Sequence, residues 1–144
     1  MSYLVDTDVL SELRRRDPDA NVVRWMAQRP AITLYLSVLT LGELRKGITP
    51  LYEGERKRRL LDWLDVELPA YFSGRILPID SAVADRWGRL QARAGKPLSA
   101  IDSLLAATAL AHGMTLVTRN LKDFQHPELT LLDPWDPAGS DDAR

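Results

Sequence analysis

Cysteine is absent from this 144-residue chain, and histidine occurs only at His112 and His126. The first absence removes disulfides, thiolate nucleophiles, zinc–cysteine sites and iron–sulfur clusters, and it fits a reducing compartment such as the cytoplasm. The second leaves little for histidine-dependent catalysis. His112 stands at a predicted helix end, where it suits the dipole, and His126 beside Pro127 reads as a loop residue. No apolar run approaches the roughly 20 residues that span a membrane. MSYLVDTDVL reads as a short apolar strand interrupted by acids, not as a signal peptide. A strong net charge is also missing, since 19 Lys and Arg against 20 Asp and Glu give −1. Bulk attraction to nucleic acid is thereby disfavoured, but a local basic patch is not excluded.

Hydrophobic residues make up 45% of the chain and charged residues 27%, the balance of a globular domain. Apolar β-rich segments at 3–5, 32–38, 75–79, 114–117 and 129–132 predict strands. Helical periodicity predicts helices at about 7–16, 21–28, from Thr40 through Ile48, 55–68, 81–94 and 99–112. The last of these is apolar nearly all round, so it is expected to be buried, with Gly113 as its left-handed terminator. Strands alternating with helices predict an α/β fold: a central, mainly parallel sheet flanked by helices in three layers. One domain is expected over residues 1–135, followed by a flexible C-terminal tail at 136–144 with nothing to bury.

In such sheets, ligands bind beyond the carboxyl ends of the strands. Asp6 follows the first predicted strand, Glu43 lies just after the second, Asp102 opens the apolar helix, and Asn120 and Asp123 follow the fourth strand. Four distant segments therefore bring carboxylates to one edge. An oxygen-rich cluster suits Mg²⁺ or Mn²⁺ at about 2.1 Å, and without a cation its members would raise one another's pKa values. A purely structural reading is also available. Thr40-Leu-Gly-Glu43 and Ser99-Ala-Ile-Asp102 both match the capping box, and Asp6 at a strand end can cap the next helix.

The order LVDTDVL, LSVLTLGELRKGI, KPLSAIDSLLAATAL, LVTRNLKDF and LDPW, spanning about residues 3 to 135, resembles the PIN-domain ribonucleases. More narrowly, it is similar to the VapC/FitB toxins of bacterial toxin–antitoxin pairs. The resemblance implies a single PIN-like domain and a metal-dependent endoribonuclease. Its acidic quartet falls on Asp6, Glu43, Asp102 and Asp123, as Mg²⁺ or Mn²⁺ ligands and catalytic residues. Thr118 matches a supporting hydroxyl, and Asn120 a polar position that is often acidic in relatives. Asp8 stands where many relatives carry Asn; it either adds to metal binding or caps the following helix. The implied mechanism is phosphodiester hydrolysis, in which one or two metal ions activate a water for in-line attack on phosphorus and neutralise charge on the leaving 3′-oxygen. The resemblance further implies a small antitoxin that blocks the acidic site, and a homodimer, in the cytoplasm and without membrane association.

An RNA substrate needs cations. Arg45 and Lys46 lie just beyond Glu43, Lys96 precedes the Asp102 helix, and Arg119 adjoins Thr118; these are the candidate RNA-binding residues, with Arg14, Arg15 and Arg16 as further basic candidates. Arg56–Arg59 reads as a solvated helix face, and Trp25, Trp63, Trp87 and Trp135 as core or interface. Two other readings compete. In a catalytically inactive PIN-like binding module, the acids would cap helices and bind nothing. A haloacid-dehalogenase-type phosphatase would use Asp6 as nucleophile and Asp8 as general acid, but Glu43 and Asp102 would then be unexplained.

Overall fold

The computed structural model describes residues 1–137. The flexible tail expected at 136–144 therefore lies, beyond Pro137, outside the described residues. The elements run β1 (Tyr3–Val5), α1 (Thr7–Leu13), α2 (Ala20–Ala27), β2 (Leu34–Ser37), α3 (Val38–Ile48), α4 (Glu55–Asp62), α5 (Leu68–Tyr71), β3 (Ile76–Leu77), α6 (Ser81–Arg93), α7 (Ala100–His112), β4 (Thr115–Val117) and β5 (Leu131–Leu132). The five strands form one sheet in the order β3-β2-β1-β4-β5, and every pairing is parallel.

Side-chain alternation along the short strands divides the interior into two layers. Tyr3, Val5, Leu34, Leu36 and Val117 join Val9, Trp25, Leu44, Trp63 and Phe72 on the face covered by α1–α5. Leu4 and Leu116 point the other way, into Leu105, Ala106, Ala109 and Phe124. This is the expected three-layer α/β arrangement. The apolar α7 is buried along Ser103 and Leu105–Ala109, and Gly113 ends it at φ 64°, in the left-handed region that glycine enters freely. Trp25 and Trp63 are core residues, as expected.

The second strand and its helix depart from expectation. Ile32 lies in a 3-10 turn (Ala31–Thr33) and is exposed, because Pro30 presents its carbonyl to the Thr33 hydroxyl at 2.7 Å and turns the chain before it extends. At the other end the Ser37 hydroxyl accepts the Leu39 N–H (3.1 Å), which starts α3 at Val38. Thr40 is thus inside the first turn and wholly buried, so the capping-box reading of Thr40 and Glu43 is wrong: Ser37 does the capping. The helix expected at 55–68 is a longer helical run that continues to Tyr71 and widens into a π-turn at Trp63–Glu67. Pro69 supplies the reason, since it has no N–H to donate and its ring crowds the carbonyl four residues back.

The chain moves outward from β1 through β2 to β3, then returns through α6 and α7 to place β4 on the opposite side of β1. The direction of winding therefore reverses between β1 and β4, and the carboxyl ends of these two strands frame the crevice where such folds bind ligands.

Candidate active site

Asp6 stands at that switch point. Its backbone N–H bonds the Val117 carbonyl across the β1–β4 seam at 2.9 Å. Its carboxylate caps α1 by accepting the Thr7 N–H (2.7 Å) and also accepts the Thr118 hydroxyl (2.8 Å), from a residue 112 positions away. Asp6 is therefore a genuine helix cap, yet that role leaves its charge uncompensated. Burial, followed by the charge of Asp8 and then that of Glu43, raises its pKa to about 7, although the bonds from Thr118 and Thr7 work in the opposite direction.

Glu43 reaches the same edge from α3. The Thr7 hydroxyl, itself 3.2 Å from the Thr40 hydroxyl, donates to Glu43 Oε1. Asp102 enters from the first turn of α7, where burial, then the charges of Asp123 and Glu43, raise its pKa against the pull of the neighbouring Ser99 hydroxyl. Ser99 is the N-cap of α7 by position but makes no side-chain bond to the helix N–H groups, so the second capping box is incomplete too. Asp123 sits exposed on a 3-10 turn (Leu121–Phe124) after β4. Asp6 thus senses Glu43, and Asp102 senses both Glu43 and Asp123: the four predicted acids form one electrostatic group.

The supporting residues divide. Thr118 is fully buried, donates to Asp6 and accepts the Asn120 backbone N–H at 3.1 Å. Asn120 takes part through that backbone group. Asp8 does not cap α1, which Asp6 caps. Instead Asp8 Oδ2 accepts the Arg119 N–H (3.0 Å), pinning the segment after β4, while its buried Oδ1 has no hydrogen-bond partner. Burial raises its pKa, and Asp133 adds to the effect. Sequence reasoning missed Thr7 as a brace between Asp6 and Glu43, and Asp133 as a neighbour of Asp8. The signals were present in Asp-Thr-Asp and in the Leu-Asp-Pro-Trp turn.

Among the basic candidates, Arg45 is engaged elsewhere: its guanidinium pairs with Asp65. It lies two positions beyond Glu43, a spacing that turns its side chain away from that acid, and the pair it makes with Asp65 is exposed. Lys46 and Lys96 are exposed, and the Arg119 guanidinium stacks over Trp135 at 5.0 Å. A cleft of about 260 Å³ opens beside Glu43, between Arg14, Arg15 and Arg56 and an apolar wall that includes Leu44 and Trp63.

The donor set suits a hard cation. It is all oxygen, Asp6 and Asp102 are raised by burial and by the charges of acidic neighbours, and Asp8 carries a buried carboxylate oxygen without a hydrogen-bond partner among the described residues. The ion pairs of the described residues use other acids, among them Glu12, Asp65, Asp85 and Glu128, not these four. Among the described residues no three metal-ligating side chains already converge into a cage.

Residues 3–128 match the PIN domain family. The chain is 36% identical over 138 residues to the VapC ribonuclease Y4jK of Sinorhizobium fredii, covering 94% of this chain and 99% of that protein. It is 36% identical over 135 residues to the toxin FitB of Neisseria gonorrhoeae, covering 92% and 97%. The crystal structure of FitAcB from Neisseria gonorrhoeae superposes with a TM-score of 0.86 at 36% identity, over 92% of this chain and 98% of that one. FitAB bound to a DNA fragment gives 0.87 at 35% identity, over 93% and 96%. An alternating α/β sheet with acids at its switch point defines a class of site, and these matches define its family: the chain belongs to the PIN-domain family. Within that family, its relatives are the VapC and FitB toxins.

Proposed function

We propose that the protein is a metal-dependent endoribonuclease toxin, restrained by a cognate antitoxin. The observation that carries this reading is the acidic group at the β1–β4 switch point, with Asp6 buried beside Asp8 and Glu43 and, among the described residues, no cationic side chain paired to it. The relative named as a VapC ribonuclease supports the activity, and the solved FitAB complex supports the antitoxin. Among the described residues no helix is long and apolar enough to cross a membrane. We place the protein in the cytoplasm, where RNA and a newly made antitoxin meet, and assign it a homodimeric state.

Asp6, Glu43 and Asp102 would hold Mg²⁺ or Mn²⁺, with Asp123 more peripheral. The ion supplies Lewis acidity at the phosphodiester and eases deprotonation of the attacking water. Hydrolysis forms a bond from the water oxygen to phosphorus and breaks the bond to the 3′-oxygen, which leaves with a proton. The chain's own residues set the stage. Thr118 fixes one oxygen of Asp6 and the Thr7 N–H the other, while the Thr7 hydroxyl orients Glu43. Held carboxylates lose little rotamer freedom when a cation arrives.

The test is cleavage of RNA by purified protein in Mg²⁺ or Mn²⁺ against EDTA, comparing wild type with Asp102→Asn. Metal-dependent cleavage that disappears in the variant supports the assignment. Cleavage that persists in EDTA, or that the variant retains, overturns it.

A further inference from the structure

On the outer side of the molecule, α6 carries Arg86, Arg89 and Arg93 at spacings of three and four residues, a single ridge roughly 10.5 Å long at 1.5 Å per residue. With Leu90, His126 and Glu128 they line a polar pocket of about 210 Å³. Arg86 donates to Glu128 and Arg89 to Asp85, each at 2.8 Å; Arg86 is half-buried and the other three side chains are exposed. Exposed pairs of this kind add little stability, so an incoming phosphate oxygen displaces a carboxylate easily. Arg93 has no ion pair among the described residues. His126 Nδ1 accepts the Glu128 N–H at 3.1 Å, which leaves Nε2 as the donor of the neutral ring.

The walls of this pocket adjoin the segments that carry Asp102 and Asp123. Trp87 Nε1 (2.9 Å) and Gln91 Nε2 (3.2 Å) both donate to Ser103 Oγ, fastening α6 to the residue after Asp102. The opposite wall, from His126 to Glu128, follows directly from the turn bearing Asp123. Guanidinium forks around a pocket with one apolar residue fit a phosphodiester rather than the apolar anchor of a protein partner.

We propose that this pocket holds a phosphate of the RNA strand flanking the bond to be cut, so that the substrate runs from the acidic edge across α6. The inference rests on the ribonuclease reading and deepens it. It would also help a chain of net charge −1 to retain RNA beside four acids, because three of its 19 basic residues share one ridge.

The test is fluorescence anisotropy of a labelled single-stranded RNA in EDTA, over a range of salt, with wild type, Arg93→Ala and Arg89→Ala/Arg93→Ala. Binding should weaken about 10-fold in the double variant, and the log–log salt slope should fall by about 1 for each phosphate that is no longer neutralised. In Mg²⁺ the same variants should raise KM with kcat unchanged, and should cleave a dinucleotide, too short to reach α6, at the wild-type rate. Unchanged affinity and slope in a variant with wild-type melting temperature overturn the pocket. If the variants instead lose affinity only for a poly-glutamate peptide, the surface belongs to a protein partner and the RNA assignment falls. Arginine-dependent RNA binding by a wild-type protein that cleaves nothing would uphold the pocket and overturn the ribonuclease reading alone.

Discussion

Two buried acids lie within two turns of each other at the opposite ends of α1, and their environments are opposite. Asp6 and Glu12 are 8% and 5% exposed, yet burial is the largest cause of the shift at Asp6 and is outweighed at Glu12 by the bond from the Asp19 N–H. Glu12 accepts the Asp19 backbone N–H at 2.8 Å and pairs with Arg15 at 3.1 Å, and its pKa is lowered, chiefly by the first of these. Asp6 has hydrogen bonds but no cation, faces Asp8 and Glu43, and is raised to about 7. A buried carboxylate with its partner supplied by the chain is structural. One whose counter-charge is left out marks where the molecule expects something from outside.

The comparison breaks most sharply at Asp6. Asp6→Asn should lower cleavage roughly 10³-fold, about 4 kcal/mol of transition-state stabilisation, in a metal-dependent assay; near wild-type turnover would remove Asp6 from the chemistry. The two acids should also differ in sign when metal-free protein is unfolded at several pH values. Folded Asp6 keeps its proton until about pH 7, whereas the unfolded chain releases it near 3.8, so the folded state binds more protons between those values. Stability then falls as pH rises through that window, and Asp6→Asn should flatten the fall, by up to ~4 kcal/mol. Glu12, with a lowered pKa, contributes stability above its ordinary range that is lost as pH falls through its folded value. Glu12→Gln should cost about 1–2 kcal/mol at neutral pH and leave turnover intact. Equal signs for the two variants in urea melts at pH 7.5 would end the distinction.

Smaller changes sharpen it. Thr118→Val deletes the hydroxyl that steadies Asp6 and should cost 10–100-fold in activity or metal affinity, read by isothermal titration with Mn²⁺. Ser99→Ala removes a hydroxyl beside the less buried Asp102, and a change of only about 2–3-fold is expected in the same titration, because water replaces it there. A larger loss for Ser99→Ala than for Thr118→Val would mean that the two halves of the site are organised the other way round.

Much of this was legible in the sequence. The strand-end rule pointed to Asp6, Glu43 and Asp123, and the start of the apolar helix to Asp102, each from a local signal that any reader of periodicity meets. The start of α3 was not, since Ser37 and Thr40 are both hydroxyl residues ahead of an apolar helix, and only the backbone decides which one caps. The role of Asp8 was hidden for a different reason: its partner, the Arg119 N–H, lies 111 positions away and belongs to a strand pairing that no window of sequence contains. The pairing of Arg45 with Asp65 was hidden because nearness along a helix is not nearness around it.

The seam between β1 and β4 has a consequence for how the protein is made. The acids span positions 6 to 123, and the strand that seats Thr118 against Asp6 is formed by residues 115–117, beside the central strand β1. A nascent chain that has emerged only through α6 lacks Asp102, Asp123 and the central partner of β1, so it has no site to speak of. For an enzyme that would cut RNA in the very cell translating it, chemistry becomes available only once the chain has been made through Asp123, and a copy terminated before Asp102 lacks half of the acidic group.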